Sequence, residues 1–175
     1  SLCNTQKWVD VPSEEERCPL IVGQGLTGLS FERYYRRKNI STATIQLPCP
    51  ISHGQQAYQL ASSLAGRHLA ITPGLKPQYK ELFRRYRISY VSDLDIFLQQ
   101  APCQHLFLVT GTNGKTSTVQ MLEHFLKYFK KTAGQVKVAG NVGYAMLDSL
   151  VDMKKEDIII LELSSFQLYW LDSHN

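Results

Sequence analysis

Hydrophobic and polar positions fall into a repeated order along this chain: a short apolar run, a small-residue loop, then an amphipathic stretch. Residues 19–22, 42–47, 67–71 and 88–91 are such runs and predict strands. Between and after them, helical spacing predicts helices at about 26–38, 55–65, 77–86 and 93–100, the last with Ser92 as its N-cap. The pattern then begins again. Residues 105–110 read as a buried strand. From Lys115 onward Val119, Met121, Leu122, Phe125, Leu126 and Phe129 recur on one broad apolar face. Residues 135–139 predict a strand, about 144–150 a helix, and 157–163 a strongly apolar strand. Strands alternating with helices predict open parallel sheets, in which ligands bind beyond the carboxyl ends of the strands.

The predicted organisation has three parts. Residues 1–17 are a polar lead-in, and 18–101 form a Rossmann-like parallel-sheet domain. Pro102 closes a helix just before the next strand, so 102–175 form a second α/β unit.

Two loops carry candidate chemistry. Gly23-Gln-Gly25-Leu-Thr-Gly28 lies between a strand and a helix, where glycines let backbone approach a pyrophosphate. A dinucleotide site would show an acid about 20 residues on, at the end of the second strand. Gln46-Leu47-Pro48 stands there instead, which disfavours a nicotinamide dinucleotide. Thr72-Pro73-Gly74 makes a second turn at a strand end.

The other loop is Gly111-Thr112-Asn113-Gly114, followed by Lys115, Thr116 and Ser117. A strand, a glycine turn, Lys-Thr and a helix make a phosphate cradle, with backbone N–H groups and the helix dipole turned toward an anion. Lys115 would reach the β/γ-phosphates, and the Thr116 hydroxyl would help hold Mg²⁺. The general phosphate-loop pattern asks for Gly where this chain has Val109. Glu162 interrupts an otherwise apolar strand. A carboxylate there is costly unless paired or bound to a cation, and beside a phosphate loop the cation is Mg²⁺.

Composition narrows the class. The 175 residues are 43% apolar, enough for a core, and the net charge of +4 is too mild to argue for nucleic acid. Arg33, Arg36, Arg37 and Lys38, like Lys80, Arg84, Arg85 and Arg87, fall late in predicted helices, where the dipole favours them. Cys3, Cys18, Cys49 and Cys103 are too dispersed for a zinc site or a disulfide frame and read as thiols of a reducing compartment. No apolar run approaches the ~20 residues that span a bilayer. A cytoplasmic protein without membrane insertion is expected. His53 and His68 receive no role.

Three segments, Thr110-Gly-Thr-Asn-Gly-Lys-Thr116, Gly140-Asn-Val-Gly143 and Glu162-Leu-Ser-Ser-Phe-Gln-Leu168, together resemble the Mur ligases. The last resembles most the D-glutamate-adding branch, and Gly23–Ser30 with Thr72–Gly74 resembles its uridine-nucleotide domain. The resemblance implies a phosphate-loop NTPase-like central domain after the first one. It implies ATP and Mg²⁺ as cofactors, with UDP-N-acetylmuramoyl-L-alanine and D-glutamate as small-molecule substrates. The activity implied is amide formation through an acyl phosphate. It further implies that Gly111 to Ser117 bind ATP and that Lys115 and Glu162 are catalytic. Thr116 and Glu162 would serve the metal. Leu26, Thr27, Gly74 and Asn141 would contact the UDP-sugar. Such ligases are expected to be monomers.

The family often has an acid where Gln46 stands. Its ligases also have three domains, whereas this sequence stops soon after Glu162. The expectation is therefore an N-terminal piece with a truncated central domain, inactive alone; His174 is no substitute for the family's metal-binding His. Two other readings stay open: a folylpolyglutamate synthase-like ligase, which shares the Thr-Gly-Thr-Asn-Gly-Lys core, and a nucleotide-binding module without chemistry.

Overall fold

The computed structural model describes residues 18–48, 54–129 and 133–171. The lead-in, Cys3, Cys49, His53 and His174 lie outside them. Among the described residues there are two parallel sheets, the first with a helix in every crossover and the second with one between its first two strands, so the α/β class holds.

The first sheet has the order β2-β1-β3-β4, from β1 (Leu20–Val22), β2 (Ala43–Ile45), β3 (Leu69–Ile71) and β4 (Tyr90–Ser92). Its crossover helices are α1 (Leu26–Arg37), α2 (Gln55–Leu64) and α3 (Gln78–Arg85). Strands β1 and β3 are wholly buried. They must be, because helices cover both faces of a parallel sheet. Strand order reverses between β1 and β3, and a crevice opens where the two chains leave the sheet in opposite directions. That switch point lies between the Gly23 loop and the Thr72–Gly74 turn.

Helix α4 (Asp93–Gln100) follows β4 directly. Ser92 caps it as predicted, and Asp95 completes the box by accepting from the Ser92 N–H at 2.8 Å.

The second sheet has the order β5-β7-β6, from β5 (His105–Val109), β6 (Val136–Gly140) and β7 (Ile158–Glu162). Central β7 is buried throughout, whereas Phe107 and Leu108 on edge strand β5 are exposed. Helix α5 (Lys115–Phe129) crosses from β5 to β6. Its predicted apolar face is only half used. Val119 is buried and Leu122 and Leu126 pack beside it, but Met121, Phe125 and Phe129 stay exposed.

The predicted helix at 144–150 is a run of turns. Gly143 has φ of 74°, Tyr144 bridges to Ala139, and most backbone bonds that follow span three residues, as in Val151 N–H to Asp148. The Ser149 hydroxyl folds back on the Met146 carbonyl, competing with a helical ladder. Conversely, α6 (Ser165–Trp170) is a helix that strand-and-loop reading did not anticipate.

The two sheets share cores. Trp170 of α6 is buried among Leu20, Val22, Tyr79 and Phe83 of the first unit, and its indole N–H donates to the Leu75 carbonyl at 3.3 Å. Leu94 and Phe97 of α4 pack in turn with Leu161 and Leu163 of the second unit. Arg33 reaches Asp148 at 2.5 Å and Arg37 lies at 3.4 Å, so two of the arginines assigned to the helix dipole instead bind across the units. That arginine pair, outweighing partial burial, holds the Asp148 carboxyl below its usual range.

Candidate functional site

Beyond β5 the chain turns through Gly111 and Gly114, both at positive φ, and enters α5 at Lys115. The Lys115 ammonium donates to the Gly111 carbonyl at 2.5 Å. Behind this turn stands the end of β7. Register places Glu162 opposite Val109 on one side and Gly140 on the other, so one carboxylate is delivered between two loops. Gly140 must lack a side chain here, because a Cβ would lie 2.2 Å from the Glu162 carbonyl.

Glu162 is 1% exposed. The Thr116 hydroxyl donates to it at 3.2 Å, and the Asn141 amide donates to its other oxygen at 3.2 Å. Both are neutral partners, and no ion pair to Glu162 forms among the described residues. Thr112, Asn113, Gly114, Lys115, Thr116, Ser117, Asn141 and Glu162 line one open cleft of about 300 Å³. Residues separated by up to fifty positions in sequence thus meet at one strand end.

A buried acid with only neutral donors around it suits a divalent cation. Among the described residues no three His, Cys, Asp or Glu cluster to form a closed metal cage. The donor set present, one carboxylate and one hydroxyl beside a phosphate cradle, suits Mg²⁺, which binds through few carboxylates plus substrate phosphates and water.

The remaining candidates lie at the first sheet. Leu26 is 81% exposed at the start of α1, with Thr27 half-buried beside it. Gly74 is exposed in the turn after β3. Gly23 and Thr72 touch, the Thr72 hydroxyl donating to the Val22 carbonyl at 3.1 Å. Gln46 is exposed one residue beyond β2. Reading by motif missed Gln167, whose side chain accepts from the Ser164 N–H at 2.8 Å and so fixes the turn that follows Glu162. The signal was present: Ser164-Ser-Phe-Gln167 is a capping-box spacing.

A glycine turn with Lys-Thr at a helix start, facing a buried acid on the neighbouring strand, defines a phosphate-loop protein of the α/β class. Within that class, residues 109–173 match the Mur ligase middle domain, and this segment belongs to the Mur ligase family. The similarity extends well beyond it. A protein named UDP-N-acetylmuramoylalanine--D-glutamate ligase from Buchnera aphidicola subsp. Acyrthosiphon pisum (strain Tuc7) is 31% identical over 162 residues, covering 85% of this chain and 35% of the relative. Proteins of the same name from Idiomarina loihiensis (31% identity; 85% of this chain, 36% of the relative) and Desulfitobacterium hafniense (34%; 70% and 26%) also match. The chain therefore spans about a third of the length of these curated relatives.

Proposed function

We propose that this chain supplies the ATP-binding loop and the UDP-sugar-binding domain of a cytoplasmic ligase in peptidoglycan precursor synthesis. The reaction is amide formation: the carboxylate of UDP-N-acetylmuramoyl-L-alanine is phosphorylated by ATP, and the amine of D-glutamate displaces phosphate from the acyl phosphate. One observation carries the reading. Thr116, Asn141 and the buried Glu162 converge on the cleft behind Lys115, in a segment that matches the Mur ligase middle domain.

Each group has a role its position supports. Loop N–H groups and Lys115 hold the β/γ-phosphates and offset charge as the phosphoryl group transfers. Thr116 and Glu162 would hold Mg²⁺, which would supply neutralisation of phosphate charge. Asn141, anchored on Glu162, would touch the UDP-sugar. Backbone at Leu26, Thr27 and Gly74 would receive its nucleotide end at the β1/β3 switch point. We assign 18–101 to that substrate domain and 102–175 to the nucleotide domain. Residues 1–175 alone should give no ligase turnover, so catalysis is assayed in the reading frame that contains them.

Glu162→Gln tests the reading by keeping shape and removing charge. The Mg²⁺ concentration needed for half-maximal turnover should rise on the order of tenfold. An unchanged metal titration would leave Glu162 a structural acid and sink the assignment.

A further inference from the structure

Helix α6 leaves the second unit and ends inside the first, against the segment that follows the Thr72–Gly74 turn. Trp170 is 1% exposed and stands against Phe83 and Tyr90, with ring centroids 6.3 and 5.6 Å away. Its indole N–H donates to the Leu75 carbonyl at 3.3 Å. One residue earlier, the Tyr169 hydroxyl donates to the Pro77 carbonyl at 3.4 Å. The Lys80 ammonium donates back to the Tyr169 carbonyl and lies 4.7 Å from the centre of that ring. Two consecutive residues of the second unit are thus tied to residues 75–80 of the first.

Leu75 is the last residue of the turn that Thr72 opens. Its N–H closes the turn on the Thr72 carbonyl at 3.1 Å. The Thr72 N–H and hydroxyl both donate to the Val22 carbonyl, at 3.0 and 3.1 Å. The front of the turn is therefore fixed to β1 and its back to α6. Pro73 has no N–H to give. Among the described residues the Gly74 N–H donates to no partner, so it is the donor the turn keeps for a ligand.

We propose that Trp170 is a positioning residue for the UDP-sugar: by holding the Leu75 carbonyl it fixes where the Gly74 N–H meets an oxygen of the substrate's nucleotide end. The proposal rests on the reading that the Thr72–Gly74 turn receives that end. A buried tryptophan needs an acceptor for its N–H wherever it lies, so the bond by itself does not separate positioning from packing. Its neighbours do. Tyr169 is 42% exposed, and its hydroxyl, with no burial to offset, still bonds to the same segment. A phenylalanine would fill the space against Phe83 and Tyr90 and need no acceptor at all. Helix α6 has six residues and begins three positions after Glu162, so one short element runs from the candidate metal acid to the nucleotide turn.

Trp170→Phe in the ligase reading frame separates the two roles. The KM for UDP-N-acetylmuramoyl-L-alanine should rise about fivefold, the net contribution of an ordinary hydrogen bond. Both kcat and the KM for ATP should change little, as when binding common to ground and transition states is lost. A packing role would instead lower the active fraction, reducing apparent kcat and leaving every KM alone. Gly74→Leu is the companion variant. No atom lies within 4 Å of where its Cβ would stand, so it should fold normally and raise the same KM by obstructing the turn. In the 175-residue chain, UDP should shift the Gly74 amide and the Trp170 indole N–H signals together in NMR spectra. Loss of one indole signal in Trp170→Phe assigns it, since Trp8 supplies the other. A KM that Gly74→Leu raises and Trp170→Phe leaves alone overturns the proposal while the turn's assignment stands. So does an indole signal that stays in place as the Gly74 amide moves. If Gly74→Leu leaves the KM alone and UDP moves neither signal, the assignment of the turn has failed and Trp170 is a packing residue. If Trp170→Phe does not fold, the indole shift decides by itself.

Discussion

This chain contains two units of strand, glycine loop and helix, and they differ in what they can offer a ligand. After β1 the loop from Gly23 to Gly28 carries no charged side chain, and the start of α1 has neither a side-chain cap nor an acid in its first turn. Apart from the neutral Gln24 and Thr27 side chains, what it can present to an anion is backbone. After β5 the loop ends in Lys115 and Thr116, and a buried carboxylate from the next strand faces them. The supports differ as well. Helix α1 buries Phe31, Tyr34 and Tyr35, whereas α5 buries Val119 alone. A loop that only holds can be built from backbone on a packed helix. One that moves a phosphoryl group needs side-chain charge brought in from a second strand.

The largest effect should follow from removing that charge. Lys115→Ala, in the ligase reading frame, should lower phosphate release on the order of 10²–10³-fold, the usual loss for one charge-stabilising contact. UDP-substrate binding should be nearly unaffected, because the backbone loop is separate. A variant with near wild-type turnover would erase the distinction between the loops.

Most of this contrast could be read without coordinates. Both loops, their order and the α/β class follow from local signals: apolar runs, glycines and helical spacing. The capping serine of α4 was legible for the same reason, since a cap is decided within four residues. What escaped is what depends on distant partners. Arg33 and Arg37 look like dipole ligands until Asp148, more than a hundred positions away, is placed beside them. Residues 144–150 have a helical composition, but Gly143 and the Tyr144 bridge hold them in turns. The apolar spacing of α5 correctly marked a helix. It could not show that Met121 and Phe125 stay exposed.

An intermediate effect should distinguish the glycines. At Gly23 a Cβ would lie 2.1 Å from the Thr72 hydroxyl oxygen, and φ is 104°, so alanine meets both a collision and a strained backbone. Thr72 would have to give up its bond to the Val22 carbonyl in the middle of the β1/β3 crevice. Gly23→Ala should cost about 2–3 kcal/mol of folding stability in denaturant melts, from overpacking and backbone strain together. Gly114 also has positive φ, 76°, but open space where a Cβ would go. Gly114→Ala should therefore cost only about 1 kcal/mol. Equal losses at the two positions would mean that conformation, and not the packing of the first loop, decides both.

The smallest expected effect asks whether the first loop is as purely backbone as it looks. Gln46 is the nearest polar side chain in sequence to the end of β2, and the strand it follows lies at the edge of the sheet. The Gly23 N–H donates to the Ile45 carbonyl at 2.9 Å, which brings the peptide that leads into Gln46 directly against the first glycine. Where related ligases often carry an acid, this position offers an amide, able both to donate and to accept. A uracil edge presents both kinds of group, so the amide can replace one pairing with another and carry no charge in doing so. Gln46→Ala should weaken UDP-substrate affinity by roughly 1 kcal/mol, the net value of an ordinary hydrogen bond. Gln46→Glu should retain the part of that affinity that depends on accepting and lose the part that depends on donating. Isothermal titration with no change for Gln46→Ala would show that the base is held elsewhere, leaving the first loop a cradle of backbone alone.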